Sequence, residues 1–287
     1  MLHGRDPYGA EVTREIQRGY WGREIDRNSS DPAGAARFWY PLYVVFLLAP
    51  TVTLSFESVR ILYVAVGAGV SIASVWLWLR FLGHSRPRLL GIVSSILLVG
   101  SLPAVYALHL QQLTLIVAAA IAASLASISA GLFWPAGIML AVATIKPQNS
   151  AAIIGWLLLW SCSDWNKRKT LFISFGITMA AIVLGSELLA PGWITEWRDS
   201  VSAYSTYTDR APAHVFIIFK SYLGVVVSVA LIICAGLFCW IGRRDSPATD
   251  RFRITAALVL AVSLYLNPAL SQIQQSGPVF PFAQTAG

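Results

Sequence analysis

Ala143-Thr144-Ile145-Lys146-Pro147-Gln148-Asn149 interrupts an apolar stretch that runs from Leu132 to Trp160. Its reading decides the fold. As one helix, 132–160 crosses a bilayer once. Broken at Lys146-Pro147, it becomes two half-spans, Leu132–Ile145 and Asn149–Trp160, that meet near one surface. Proline lacks a backbone donor and disfavours helix at the residue before it, so the broken reading is adopted. Each half is shorter than the roughly 20 residues a bilayer needs, so burial among other helices or local thinning is expected.

The rest of the chain supports a membrane setting. It is 56% hydrophobic and 12% charged, about half the charged fraction of a soluble domain. Besides the two halves, the apolar runs are Ile61–Leu82, Leu90–Leu108, Leu113–Gly131, Leu171–Leu189, Val215–Ile241 and Ile254–Leu266. The expected fold is all-α, a polytopic transmembrane helical bundle of about eight spans. Phe38–Leu54 is apolar, but Pro41 and Pro50 interrupt it, so it is read as an interfacial or re-entrant element.

Charge fixes the orientation. Arg80–Arg88, Asp164–Lys169 and Arg243–Arg253 hold ten Lys/Arg against three acids, which accounts for the whole net charge of +7. By the positive-inside rule these loops are cytoplasmic. The eight crossings place all three inside only if 132–160 is broken and Phe38–Leu54 does not cross. The polar head and the tail after Asn267 then lie outside. The expected organisation is 1–57 as an external loop with interfacial helices, 58–268 as the bundle and 269–287 as an external tail.

The head reads Gly4-Arg5-Asp6-Pro7-Tyr8-Gly9 and then a charged segment. Asp6 suits an N-cap with Pro7 at the first helical position. Val12, Ile16 and Tyr20 recur every fourth residue, the stripe of a helix lying on a membrane surface. Asn28–Gly34 reads as a linker.

The basic balance does not indicate nucleic acid, because it is confined to topology loops. No phosphate-binding glycine loop appears. Cys162, Cys234 and Cys239 and the four histidines show no metal-ligand spacing; a divalent metal is left open.

Ionisable groups at membrane depth mark function. Lys146, at a broken helix with polar neighbours, suits an ammonium held against a lipid phosphate at the external leaflet; a lysine snorkelling to water is the plain alternative. His109 and Gln111-Gln112 suit hydrogen bonding to a sugar or phosphate, or an ordinary polar turn. Glu57 and Arg60 suit a one-turn ion pair, or Arg60 faces a phosphate. Ala190–His214 reads as an external loop whose aromatics suit sugar stacking.

Several ordered motifs resemble glycosyltransferase family 87, membrane enzymes of the GT-C type that include polyprenyl-phosphate-mannose-dependent mannosyltransferases. Gly4-Arg5-Asp6-Pro7-Tyr8 resembles the family's G-x-D-P-Y stretch. Tyr40-Pro41-Leu42 with Leu47-Leu48-Ala49-Pro50 resembles its Y-P-P-L…L-L-x-P segment, with Leu42 replacing the second proline. Gln111-Gln112-Leu113-Thr114 resembles a G-Q-x-T/N turn, with Gln111 where glycine is usual. Ala136-Gly137 through Ile145-Lys146-Pro147 resembles an A-G…K-P segment.

The resemblance implies inverting transfer of a hexose, mannose foremost, from a polyprenyl-phosphate sugar to a lipid or glycan acceptor at the external face of the plasma membrane. Its partners are membrane lipids, that donor and that acceptor. A carboxylate takes the acceptor proton, and the leaving phosphate needs cationic or hydrogen-bonding support. Lys146, Gln112 and Arg60 are the expected phosphate-binding residues; Tyr8, Tyr40 and His109 are the expected substrate-binding ones. Asp6 is the catalytic carboxylate available in this chain. In the family the base precedes G-x-D-P-Y, at the end of a first helix, so a helix carrying it is expected upstream of Met1. The competing readings are a transporter or lipid flippase, since broken helices with a charged residue also serve transport, and an inactive fragment of the enzyme.

Overall fold

A computed structural model describes residues 6–21, 38–84, 88–208 and 222–266. They form helices joined by turns, with no strand among the described residues. The all-α expectation holds. Gly4, Arg5, the 28–34 linker, 209–214 and the 269–287 tail lie outside the described residues.

The chain divides into two compact units: one from the described parts of Met1–Trp39, Ile194–Ala230 and Tyr265–Gly287, the other from Tyr40–Trp193 and Leu231–Leu264. In the first, α1 (Ala10–Trp21) begins three residues later than the Asp6-Pro7 signal implies. Asp6 Oδ1 accepts from Tyr8 N at 2.9 Å and Asp6 O from Gly9 N at 3.1 Å. The aspartate thus closes a turn ahead of the helix, as Asx side chains do, rather than capping it. Val12 and Ile16 are half-buried while Glu11, Arg14, Glu15 and Arg18 are exposed.

In the second unit, residues 40–54 contain only α2 (Val44–Leu48) and a 3-10 turn at Ala49–Thr51. They are far too short to cross a bilayer as a helix. Then come α3 (Phe56–Phe81), α4 (Arg88–Val99), α5 (Leu102–His109), α6 (Thr114–Ser129), α7 (Phe133–Ala143), α8 (Pro147–Cys162), α9 (Trp165–Leu189), α10 (Trp193–Thr208), α11 (Tyr222–Ile241) and α12 (Asp250–Leu266). All of α10 after Trp193, α11 as far as Ala230 and the last two residues of α12 belong to the first unit.

Among the described residues, three helices are long and apolar enough to cross a membrane: Glu57–Phe81, Trp165–Leu189 and Tyr222–Arg244. Their apolar side chains face outward; Ile61, Leu184, Val226 and Ile233 are all more than half exposed. Apolar surface of this kind is stable only against lipid. α4 and α5 together reach the same length but bend by 57°, so the single expected span Leu90–Leu108 is broken. Gly100 ends α4. Ser101 Oγ then caps α5 by accepting from Ala104 N at 3.4 Å, and Pro103 lies in its first turn. α6 and α7 are apolar but shorter.

Three other boundaries are corrected. α9 begins at Trp165, so Lys167, Arg168 and Lys169 lie on the helix and not in a loop; nothing between 165 and 190 breaks it. α12 begins at Asp250, ahead of Ile254. The expected 190–214 loop carries α10, which starts after Pro191-Gly192, with Gly192 at φ +84°. Glu57 and Arg60 form no ion pair among the described residues; α3 is capped by Ser55, whose Oγ accepts from Ser58 N at 3.3 Å.

α6 packs between α3 and α7, and α7 packs along α9. Small residues make this possible. Ala120, Ala122, Ala126, Ala136, Gly137 and Ala141 are buried. A Cβ on Gly137 would overlap Ser174 Oγ and lie 2.5 Å from Leu171 O, so only glycine allows α7 this close to α9.

The three basic segments meet at one end of this unit. Arg168 is buried and stacks its guanidinium 3.9 Å from the Trp160 ring. Its Nη1 donates to Trp160 O at 3.0 Å and Arg243 O at 3.1 Å. Its Nη2 donates to Arg244 O at 3.2 Å and Asp245 O at 3.1 Å. Phe81 packs on Phe252, ring centroids 6.2 Å apart. Gly83, at φ +86°, closes the end of α3, and a Cβ there would meet Arg253 Nη2 at 3.0 Å.

Candidate functional site

The site grows from the break in 132–160. α7 unwinds over Thr144, Ile145 and Lys146, whose N–H groups donate to Ala141 O, Val142 O and Ala143 O. Lys146 precedes proline and takes φ −123°, ψ 82°, the extended geometry that proline imposes on its predecessor. α8 then starts at Pro147, which needs no donor in a first turn. The α8 end is closed by Asn149 N and Ser150 Oγ donating to Lys146 O at 3.0 and 3.2 Å.

The turn presents the lysine side chain to two other segments. Lys146 Nζ donates to Thr114 Oγ1 at 2.7 Å. Thr114 Oγ1 in turn donates to Gln112 Oε1 at 3.4 Å. Nζ also lies 5.7 Å from the centroid of the Tyr40 ring, within cation–π range. Among the described residues no carboxylate pairs with it. Burial lowers the Lys146 pKa to about 8. At pH 7 the group is still an ammonium by about ten to one, with donors to spare for an anion.

The Gln112 turn has its own logic. Gln111 has φ 52°, the only non-glycine residue with positive φ among those described. Gln111 N donates to Leu108 O at 3.1 Å and Gln112 N to Ala107 O at 2.8 Å, the closing pattern of a helix that ends in a left-handed residue. This explains why glycine suits position 111. The left-handed residue turns the chain into α6, whose first residue is Thr114.

Of the expected site residues, Lys146, Gln112 and Tyr40 come together. Arg60 and His109 are exposed and make no hydrogen bond or ion pair among the described residues. Asp6 and Tyr8 belong to the first unit. There Tyr8 packs on Phe38, centroids 5.5 Å apart, and Asp6 is exposed.

Sequence reasoning gives no site role to Thr114, Tyr43, Thr144 or Glu196. Thr114 is the anchor of Lys146, and its place in the Gln111–Thr114 motif was the available signal. Tyr43 donates to Thr144 O and Oγ1, both at 2.9 Å; nothing local foretells a contact across 101 positions. Glu196, on α10, has its carboxyl pushed up, first by partial burial and then by the Asp6 carboxylate. No group of three or more His, Cys, Asp or Glu is placed to hold a metal ion among the described residues.

Long lipid-facing helices, a helix break that carries a half-buried ammonium with no carboxylate partner among the described residues, and basic segments gathered at one end are the features of an integral membrane protein. The sequence profile of glycosyltransferase family 87 matches residues 38–268, about four fifths of the chain, and the chain belongs to that family. No curated protein and no solved structure matches it. It is therefore a membrane glycosyltransferase by family.

Proposed function

We propose that the chain moves a hexose, mannose foremost, from a polyprenyl-phosphate sugar to a lipid or glycan acceptor at the extracytoplasmic face of the plasma membrane. The proposal includes a GT-C-like bundle in which the shorter helices also cross, giving about eight spans. One observation carries it: a half-buried ammonium at a helix break, held by Thr114 over Tyr40, with no carboxylate paired to it among the described residues. A leaving lipid phosphate is the anion that this family's reaction would bring there.

In this reading Lys146 binds the phosphate and stabilises the charge that develops as the sugar–phosphate bond breaks. Gln112 orders Thr114, and Tyr40 covers the ammonium. The basic loops support a cytoplasmic end about 24 Å away along α8, at 1.5 Å per residue. A carboxylate takes the acceptor proton, and Asp6 is the one assigned to it.

The test is transfer of labelled hexose from synthetic polyprenyl-phosphate donors by the protein in nanodiscs. Lys146→Ala should lower the rate about a hundredfold or more, as loss of one stabilising donor does elsewhere. Wild-type transfer by Lys146→Ala, or no transfer from any such donor, overturns the reading. Unchanged transfer by Asp6→Asn moves the base elsewhere.

A further inference from the structure

We infer that Tyr43 is a positioning residue for Lys146, its hydroxyl fixing the α7–α8 break from outside and so setting where the ammonium stands. The inference rests on Lys146 being the working group of the site.

The last carbonyls of a helix have no intrahelical partner, and in apolar surroundings each must find one. At the broken end of α7, Thr144 O finds it in Tyr43 Oη at 2.9 Å. The same hydroxyl reaches Thr144 Oγ1 at 2.9 Å, and Thr144 Oγ1 donates back to Ala141 O at 2.6 Å. The hydroxyl therefore closes the end of one half-helix as Asn149 and Ser150 close the start of the other.

Tyr43 is itself closely packed. Leu42 and Val44 on either side are 1% and 0% exposed, and Tyr43 is 9% exposed. Its ring meets Trp193 edge-on, centroids 6.0 Å apart. Val44 N donates to Pro41 O and Phe46 N to Tyr43 O, so residues 41–46 form a wound turn. Three residues earlier the same segment supplies Tyr40, the ring under Nζ. One short buried segment thus touches the break twice, at the ammonium and two residues before it. A residue that only filled space would need the Tyr43 ring and not its hydroxyl.

Tyr43→Phe keeps the ring and removes the hydroxyl. Its readout is the pH dependence of Lys146 reductive methylation, measured by peptide mass spectrometry on the full chain in nanodiscs, without substrate. With Thr144 O left without its partner, the turn should admit water and the labelling midpoint should rise by about one pH unit toward the ordinary lysine value. The thermal midpoint should move far less than for Tyr43→Ala, which also loses the ring.

A second arm uses polyprenyl monophosphate as the probe. It should protect Lys146 from labelling, with half-protection in Tyr43→Phe shifted to about fivefold higher probe, or roughly 1 kcal/mol. If neither protein is protected, the phosphate reading fails while the pH profile still reports on Tyr43. A wild-type labelling midpoint in Tyr43→Phe overturns the inference. If Tyr43→Phe does not fold, amide hydrogen exchange at Ile145 and Lys146 in the wild type decides. Protection no greater than at Glu57, exposed in the first turn of α3 where the amide has no intrahelical partner, overturns it.

Discussion

Arg168→Met tests the clamp at the basic end. The substitution keeps an unbranched apolar stem of similar length and removes a guanidinium that donates to four carbonyls. At about 1.5–3 kcal/mol for each bond to a charged group, a simple sum would reach about 6–12 kcal/mol. The structure argues for much less. Asp245 O keeps the Trp160 Nε1 donor at 2.9 Å. Ser163 Oγ still reaches Trp160 O and Arg243 O. Only Arg244 O loses its sole donor among the described residues. Removing the arginine also removes a buried charge, which offsets part of the loss. The expected cost is about 3–4 kcal/mol, or roughly 10 °C in thermal midpoint for a chain of this size.

The assay is the fraction of monodisperse protein left after heating in detergent, followed by size exclusion. Lys169→Met, at an exposed neighbouring position, is the control and should shift by less than about 2 °C. Trypsin cleavage in the 243–249 loop should accelerate in Arg168→Met alone. A midpoint within about 3 °C of wild type, or an equal shift in Lys169→Met, refutes the clamp.

Further outcomes follow from the same contacts. The ligand-free Lys146 pKa of about 8 lies below its ordinary 10.5, so between those values the unfolded chain binds the extra proton. Stability should therefore rise from pH 8 to 10.5, with the burial penalty fully present below 8. Phosphate affinity should move oppositely, falling up to tenfold per pH unit above 8; chemical denaturation and probe protection across pH check both signs. Gly137→Ala should cost about 1–3 kcal/mol by overpacking. Ser174→Gly should not rescue it, because Leu171 O and Phe175 N, at 2.5 and 2.7 Å from the added Cβ, are backbone; the double variant's thermal midpoint decides. Gln111→Gly should stay within about 1 kcal/mol of wild type, relief of a left-handed side chain offsetting lost chain stiffness. Gln111→Val should be clearly less stable than either.

The elements that the sequence made legible are those set by local physics. Lys146-Pro147 broke its helix because proline acts on its own neighbours. Phe38–Leu54 stayed short because Pro41 and Pro50 punctuate it. Composition identified the membrane because burial against lipid needs no partner residue. What escaped depended on residues far apart. The 57° bend at Gly100–Pro103 is the exception: a glycine stop, a serine cap and a first-turn proline mark it locally, but a continuous apolar run hides them. The head's Asp6 was assigned to the helix itself because a cap and an Asx turn share one signature. In the site, Lys146 was legible as an isolated charge and Gln112 and Tyr40 through their motifs. Tyr43 and Thr144 were not, since a hydroxyl in an apolar run carries no sign of the segment it will reach.

Two cations placed at opposite ends of α8 show how charge and role separate. Arg168, against Trp160, has its planar fork filled by carbonyls from both sides. An anion arriving there would have to displace bonds already made, so the group serves cohesion. Lys146 spends one donor on Thr114 at 2.7 Å and rests on an aromatic face, half-buried and with no carboxylate partner among the described residues. An anion arriving there gains the full attraction and restores the proton affinity that burial removed. Basic residue type alone does not distinguish the two, nor does depth. The difference lies in what already satisfies each group: the arginine serves cohesion, and the proposed function gives the lysine its anion.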